Sequence, residues 1–222
     1  MTALLRYQTE LLLRSQRWLP PVLLYGIFLA VGAQGGDPVL DSLGVAAAAL
    51  LPVTAWLVRI CATQEPPAAR HCAAAATSPA RVHLSCLGAA SVCAAVLAVA
   101  GTAVITAMSD PSSTDHQTAV PRLSAAAAGL LAALVCALVG AAVGALCTWP
   151  VLRSTGWSVT ATALAALLVL VTTGSPAHTA VYGLVSGSRT GTVHIPLLPL
   201  AASAAIAAAA AAVVCRLTSR RG

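Results

Sequence analysis

Residues 123–147 read LSAAAAGLLAALVCALVGAAVGALC, a run without a single charged side chain. Wound into an α-helix, a run of this length extends about 37 Å, enough to cross the roughly 30 Å hydrocarbon core of a bilayer. Lipid offers the backbone no hydrogen-bond partner, so a membrane-crossing segment must be a helix or part of a closed barrel. Barrel strands alternate apolar and polar residues, which this run does not. We therefore predict a transmembrane helix here.

Similar apolar runs recur along the rest of the chain. Hydrophobic residues make up 59% and charged residues 8% of the sequence, whereas soluble domains carry about 25% charged residues. The pattern predicts an all-α, polytopic membrane protein forming one transmembrane domain over residues 1–222, with a short tail at 216–222. The six predicted spans are residues 18–34, 43–58, 84–108, 123–147, 157–173 and 196–215.

Residues 1–17 precede the first apolar run and have an amphipathic pattern. Leu4, Tyr7 and Leu11 recur at helical spacing, while Arg6 and Glu10 take another face. This pattern predicts a helix that lies in the membrane interface. A secretory signal peptide ending near residue 33 is the alternative, but the segment before the apolar run is long and five more runs follow.

The arginines predict the orientation of the spans. All twelve basic residues are arginine, a bias typical of high-GC bacteria, and ten of them fall at the N-terminus, in alternate loops or at the C-terminus. Positive residues favour the cytoplasmic side, so both termini are predicted to be cytoplasmic in a multi-pass protein of a bacterial plasma membrane. The charges are too thinly spread for a nucleic-acid partner.

Several kinds of chemistry find no support in the sequence. The chain has no lysine, so it cannot form a P-loop, and a separate polypeptide would have to bind any ATP. Ser186 and His178 fall in a predicted outer loop at 174–195 and do not form a nucleophile elbow. The seven cysteines show no CxxC pair. We therefore predict no catalytic residue, no cofactor and no metal site, and no enzymatic activity of the chain itself.

The most informative polar segment is the predicted cytoplasmic loop at 59–83. Glu65, Pro66 and Pro67 form a good helix start, because an acid suits a helix N-terminus and proline is tolerated in the first turn. A short helix from residue 66 to about residue 76 would present Arg70 to the cytoplasm, where it could dock into a partner. A plain connector is the alternative.

The layout resembles the permease subunits of ABC exporters of the second type, in their small actinobacterial form. The resemblance covers nearly the whole chain and includes the stretches LPVTAWLVR at 51–59, EPPAAR at 65–70 and WPVLRS at 149–154. It implies six spans, an N-terminal interfacial helix, and a coupling helix between the second and third spans. It also implies an ABC ATPase partner, touched by Glu65, Pro66, Pro67 and Arg70, and a homo- or heterodimer of permeases.

The resulting hypothesis is the membrane-spanning permease subunit of an ATP-driven exporter. The alternatives are a membrane anchor or assembly protein for a cytoplasmic complex, and an ATP-independent facilitator, secondary transporter or intramembrane enzyme. The absence of ionisable residues from the middle of the predicted spans disfavours a secondary transporter. One departure from the family stands out: its members often have short re-entrant helices on the outer side between the fifth and sixth spans, whereas residues 174–195 are rich in Gly, Ser and Thr and are expected to be a loop.

Overall fold

A computed structural model describes residues 2–32, 36–114, 118–148 and 155–221. Within these ranges the chain forms nine helices and no extended strand, which confirms the predicted all-α class. The helices are α1 (Thr2–Ser15), α2 (Leu19–Gly32), α3 (Val39–Thr63), α4 (Pro67–Ala76), α5 (Pro79–Met108), α6 (Arg122–Leu146), α7 (Thr155–Val171), α8 (Pro176–Thr190) and α9 (Leu197–Arg221).

Four helices are long and apolar enough to cross a membrane: α3, α5, α6 and the Leu197–Thr218 part of α9. A fifth candidate is the pair formed by α7 and α8, which is bent by 49° at a short break. The described part of α2 has 14 residues and is shorter than a usual span. The described part of the chain therefore has four or five candidate membrane-crossing helices, as expected of a multi-pass protein, and the predicted number of six stays a prediction.

Helix α3 lies at the centre of the bundle and packs against α2, α5, α6, α7 and α8. Its closest neighbour is α6, whose two glycines lie directly on the α3 backbone. A Cβ atom at Gly140 would come within 2.4 Å of the Leu51 carbonyl oxygen, and one at Gly144 within 2.8 Å of the Ala55 carbonyl oxygen. Small residues let helix backbones approach closely in lipid, so this glycine pair, which has GxxxG spacing, sets the α3–α6 distance.

The helices on either side of α4 are longer than the sequence predicted. Helix α3 continues to Thr63 and α5 begins at Pro79, so the predicted loop at 59–83 is mostly helical. The Ser78 hydroxyl caps α5 by accepting a hydrogen bond from the Arg81 amide. This capping, with proline in the first turn, starts a helix well before the apolar run begins.

The bundle has two chemically different ends. At one end Arg59 of α3 meets Ser158 of α7, and Cys215 of α9 meets the Ala80 carbonyl of α5. At the other end the Asp110 amide donates to the Asp37 carbonyl, and the Asp110 carbonyl accepts from the Val39 amide. We call these the arginine end and the acid end. Among the arginines whose side chains the structure describes, those at the arginine end are Arg6, Arg14, Arg17, Arg59, Arg70, Arg81 and Arg216, and those at the acid end are Arg122 and Arg189.

The prediction of a loop at 174–195 is wrong, because residues Pro176–Thr190 form α8. The Ser175 hydroxyl caps the helix by accepting from the amides of Ala177 and His178, and Pro176 stands in the first turn. Gly191 ends the helix in the left-handed conformation, at φ 68°. Serine before a helix, proline in its first turn and glycine after its end are ordinary helix start and stop signals. These local signals favoured a helix here, but the high content of Gly, Ser and Thr led to the prediction of a loop.

Helix α1 follows the predicted bounds but turns a different face to the protein. Gln8 and Leu12 are buried, and Leu5 packs against α5, where a Cβ at Gly88 would lie 3.0 Å from its side chain. Tyr7, predicted on the apolar stripe, is 42% exposed. The stripe that contacts the protein therefore includes a glutamine, which the apolar pattern alone does not predict.

Candidate functional site at the corner between α3 and α5

Helix α4 is a ten-residue helix on the surface of the arginine end, between the end of α3 and the start of α5. It begins at Pro67 after Pro66, and it ends where both the amide and the hydroxyl of Thr77 donate to the Ala73 carbonyl, at 3.1 and 2.8 Å. The predicted short helix at 66–76 is therefore confirmed. None of its described side chains is buried, and the exposed ones are Ala68, Cys72, Ala75 and Ala76.

Glu65, which the resemblance implies is in contact with an ATPase, does not face solvent. Its side chain is buried, with 6% of its surface exposed, and its Oε2 accepts a hydrogen bond from Gln8 Nε2 at 3.2 Å. Gln8 itself is fully buried. Glu65 is buried because α1 folds back over the end of α3, and the Gln8–Glu65 hydrogen bond joins residues 57 positions apart.

Arg70 also turns inward. Its guanidinium donates to the Ala62 carbonyl in the last turn of α3, and the side chain is half-buried. A cation suits the C-terminal end of a helix, where carbonyl groups lack intrahelical partners. Arg70 therefore ties α4 to α3. Of the other two predicted contact residues, Pro66 is exposed, and Pro67 begins the helix.

Polar side chains from α1, α4, α5 and the connection between α3 and α4 lie at this corner. We call it the polar corner and define it as Gln8, Gln64, Glu65, Arg70 and His83. Gln64 Nε2 donates to the backbone carbonyl of Gln8 at 3.5 Å and to its side-chain oxygen at 3.4 Å. His83 is buried, with 7% of its surface exposed, and its Nε2 has no hydrogen-bond partner among the described residues. The Oε1 atoms of Gln64 and Glu65 are likewise buried without a hydrogen-bond partner among the described residues.

The environment of Tyr7 shows how closely α1 lies against this corner. Partial desolvation raises the pKa of the Tyr7 phenol, and the negative charge of the nearby Glu65 raises it further. Burial and a nearby negative charge both disfavour the ionised phenol. Two neighbouring residues of α1, Tyr7 and Gln8, therefore both approach Glu65.

A second polar contact joins the same end of the bundle on the other side of α3. Arg59 Nη1 donates to Ser158 Oγ at 2.9 Å, and Ser158 Oγ donates to the Cys147 carbonyl at 2.6 Å. The contact links the ends of α3 and α6 with the start of α7. Movement of the arginine end of α3 would therefore be transmitted to α7 as well as to α1 and α4.

The polar corner is a junction between helices. Its polar groups join three helices, and no group of three His, Cys, Asp or Glu side chains in the described ranges is placed to hold a metal ion. Sequence reasoning missed Gln8, Gln64 and His83. The position of Gln8 between Leu5 and Leu12 on one helix face could have indicated that its side chain contacts the protein. No sequence pattern indicated that Gln64 and His83 would lie at this corner.

The other residues considered for chemistry lie on α8. Ser186 Oγ donates to the Gly183 carbonyl at 3.3 Å, one turn back on its own helix. His178 stacks on Tyr182, with ring centroids 5.8 Å apart. Their placement in an outer loop is therefore corrected to a helix, and the described contacts do not join them as a nucleophile and base.

Comparison with known proteins leaves the family open. No protein-family model matches the chain, and no curated protein or solved structure is significantly similar to it. The resemblance drawn from the layout and the local sequence therefore stays a prediction.

Proposed function

We propose that the chain is the membrane-spanning permease subunit of an ATP-driven exporter of the second ABC type, energised by a separate ATPase subunit. The observation that carries the proposal is α4, a short surface helix at the arginine end, fixed to α3 and α1 through the polar corner. A short helix held in this way can transmit movement of a bound partner to α1 and α3.

The proposed six spans are α2, α3, α5, α6, the α7–α8 pair and α9. The 14 residues of α2 extend only about 21 Å. The helix begins directly after α1 at the arginine end, and its last residue, Gly32, lies against Val45 near the acid-end start of α3. In the pair, Ser158 meets Arg59 at the arginine end and Ser188 meets Thr114 at the acid end. Both elements therefore connect the two ends of the bundle.

The proposed orientation places the arginine end in the cytoplasm. Cytoplasmic segments of membrane proteins carry an excess of positive residues, and seven of the nine described arginine side chains lie at this end. Helix α1 would then lie along the cytoplasmic surface of a bacterial plasma membrane, with its exposed Arg6 and Arg14, and Arg17 just after the helix, toward anionic headgroups.

In the proposed mechanism the ATPase docks on the exposed side of α4. Ala68, Cys72 and Ala75 repeat at i, i+4 and i+7 and form one face of that helix, beside the exposed Pro66. Glu65 and Arg70, predicted from the resemblance to touch the ATPase, would instead carry its movement to α1 and α3. Two permeases, identical or different, would enclose one path.

Helix α8 departs from the layout that the resemblance implies. The resemblance implies short helices on the outer side between the fifth and sixth spans. In the proposed layout, the 15-residue α8 instead follows the α7–α8 break and forms the acid-end half of the fifth span itself.

The same break favours one alternative, an ATP-independent transporter. Secondary transporters often bind substrate beside discontinuous helices near the middle of the bilayer, and α7–α8 is discontinuous. Transport into liposomes that contain this chain alone, without nucleotide, would favour that alternative over the exporter. A membrane anchor would use α4 for docking and transport nothing.

The proposal is tested by isolating the tagged chain from its native membrane in mild detergent and identifying the proteins that accompany it. We expect a P-loop ATPase in stoichiometric amount. Stoichiometric recovery of another cytoplasmic complex without an ATPase would favour the anchor. Recovery of the chain alone in every detergent would overturn the exporter proposal.

A further inference from the structure

The break between α7 and α8 lies level with the interior of α3. Leu170 before the break and His178 after it line one cleft of about 240 Å³ together with Ala48 of α3. Further along α8, a Cβ at Gly44 would contact Val185, and a Cβ at Gly187 would lie 3.6 Å from Leu40. Helix α8 thus runs from the level of Ala48 to the acid end, and the break is at the level of Ala48.

This level is inside the hydrocarbon core of a bilayer. Ala48 is nine residues beyond Val39, the first residue of α3, and therefore about 14 Å from its acid end. Helix α3 has 25 residues and is about 37 Å long. A core of about 30 Å centred on α3 would begin only about 4 Å from that end, which leaves the break about 10 Å inside.

The break nevertheless exposes polar backbone. Thr172, Thr173 and Gly174 are exposed, and a Cβ placed on Gly174 would meet no atom within 4 Å. The amides of Thr173 and Gly174 donate to no group in the described part of the chain. Irregular backbone at membrane depth is tolerated only where protein buries it or where it lines a water-filled cavity.

We propose that the break at 172–175 lines an aqueous recess that enters the bilayer from the acid end. Other polar groups stand on the same side: Tyr182 is 63% exposed, and His178, stacked on it, has a buried Nδ1 without a hydrogen-bond partner among the described residues. The apolar side of α7 before the break, with Leu164, Leu167 and Leu168 each at least 60% exposed, faces lipid. The inference rests on α7–α8 crossing the membrane as one broken span, as in the proposed function, but it needs no ATPase partner.

Cysteine labelling tests the recess directly. Thr173→Cys, with Gly174→Cys as a second probe, is compared with Leu168→Cys on the apolar side and with exposed His194→Cys, which reports the acid-end surface. The wild-type chain, with its seven native cysteines, is the blank. Each variant is treated in intact cells and in inverted vesicles, once with a small charged methanethiosulfonate and once with a bulky polymer-linked maleimide. The variants are then compared in the preparation in which the reagents reach His194→Cys.

We expect Thr173→Cys to react with the small reagent from that face and to lose reaction with the bulky one, while His194→Cys reacts with both and Leu168→Cys with neither. Absence of reaction at both Thr173→Cys and Gly174→Cys would place the break in lipid or protein and overturn the recess. Equal reaction of Thr173→Cys with both reagents would place the break at the membrane surface and also overturn it. These outcomes do not depend on whether an ATPase accompanies the chain, so the two proposals fail separately.

Discussion

Gln8 of α1 donates a hydrogen bond to the buried carboxylate of Glu65 at 3.2 Å. This contact fixes the N-terminal helix to the point where α3 ends and α4 begins. It also leaves Glu65 dependent on its neighbours, since its other oxygen has no partner among the described residues.

Replacing Gln8 by Ala is expected to destabilise the protein. The change leaves a buried acceptor without its donor, a loss that costs about 1–3 kcal/mol. Thermal unfolding in detergent should show a lower transition temperature for Gln8→Ala. Glu10→Ala is the matched control on the same helix, because it breaks only the exposed Arg6–Glu10 pair, worth about 0.3–0.5 kcal/mol at this spacing. Equal effects of the two variants would contradict the role of Gln8.

Adding a single methyl group at Gly140 should disturb the α3–α6 contact. The new Cβ would lie 2.4 Å from the Leu51 carbonyl oxygen, so one helix must move, and overpacking of this kind costs about 1–3 kcal/mol. We expect Gly140→Ala to lower the yield of folded protein and its unfolding temperature.

Gly183→Ala is the control for that prediction, because a Cβ there meets nothing within 4 Å. It should leave stability unchanged or raise it by up to about 1 kcal/mol through better helix propensity. If Gly140→Ala were as stable as Gly183→Ala, close packing of α6 on α3 would not be a feature of the native protein.

Labelling of the native Cys72 reports the orientation. This thiol is exposed on α4 at the arginine end. If that end is cytoplasmic, an impermeant maleimide should modify the chain in inverted vesicles and not in intact cells. Cys72→Ser should lose the signal, which would assign it to this residue. Labelling of Cys72 in intact cells would reverse the proposed orientation.

Much of the helical framework could be predicted from the sequence. Residues 123–147 and 66–76 were expected to be helical and correspond to α6 and α4 within one residue at each end, because continuous apolar runs and proline at a helix start are local signals. Helix α8 was missed because Ser and Gly residues inside residues 176–190 outweighed its Ser175 cap.

The polar corner could not be predicted in the same way. Local spacing placed Glu65 at the start of a helix, and an acid in that position is normally exposed. Its burial depends on α1, whose Gln8 is distant in the sequence and lies on a face that the apolar pattern assigned to other residues. Arg70 was likewise drawn inward by carbonyls at the end of α3, a helix that continues five residues beyond its predicted end.

The most direct test of the exporter proposal is the ATPase activity of the complex isolated through this chain, with Ala68→Glu compared with wild type and with Ala119→Glu. Both alanines are exposed, but Ala68 lies on α4 and Ala119 at the acid end. We predict that wild type and Ala119→Glu bring down a P-loop ATPase that hydrolyses ATP, and that Ala68→Glu, although folded, loses most of that activity. An ATPase that accompanied Ala68→Glu with unchanged activity would contradict docking on α4, and absence of ATPase activity from the wild-type isolate would contradict the exporter proposal itself.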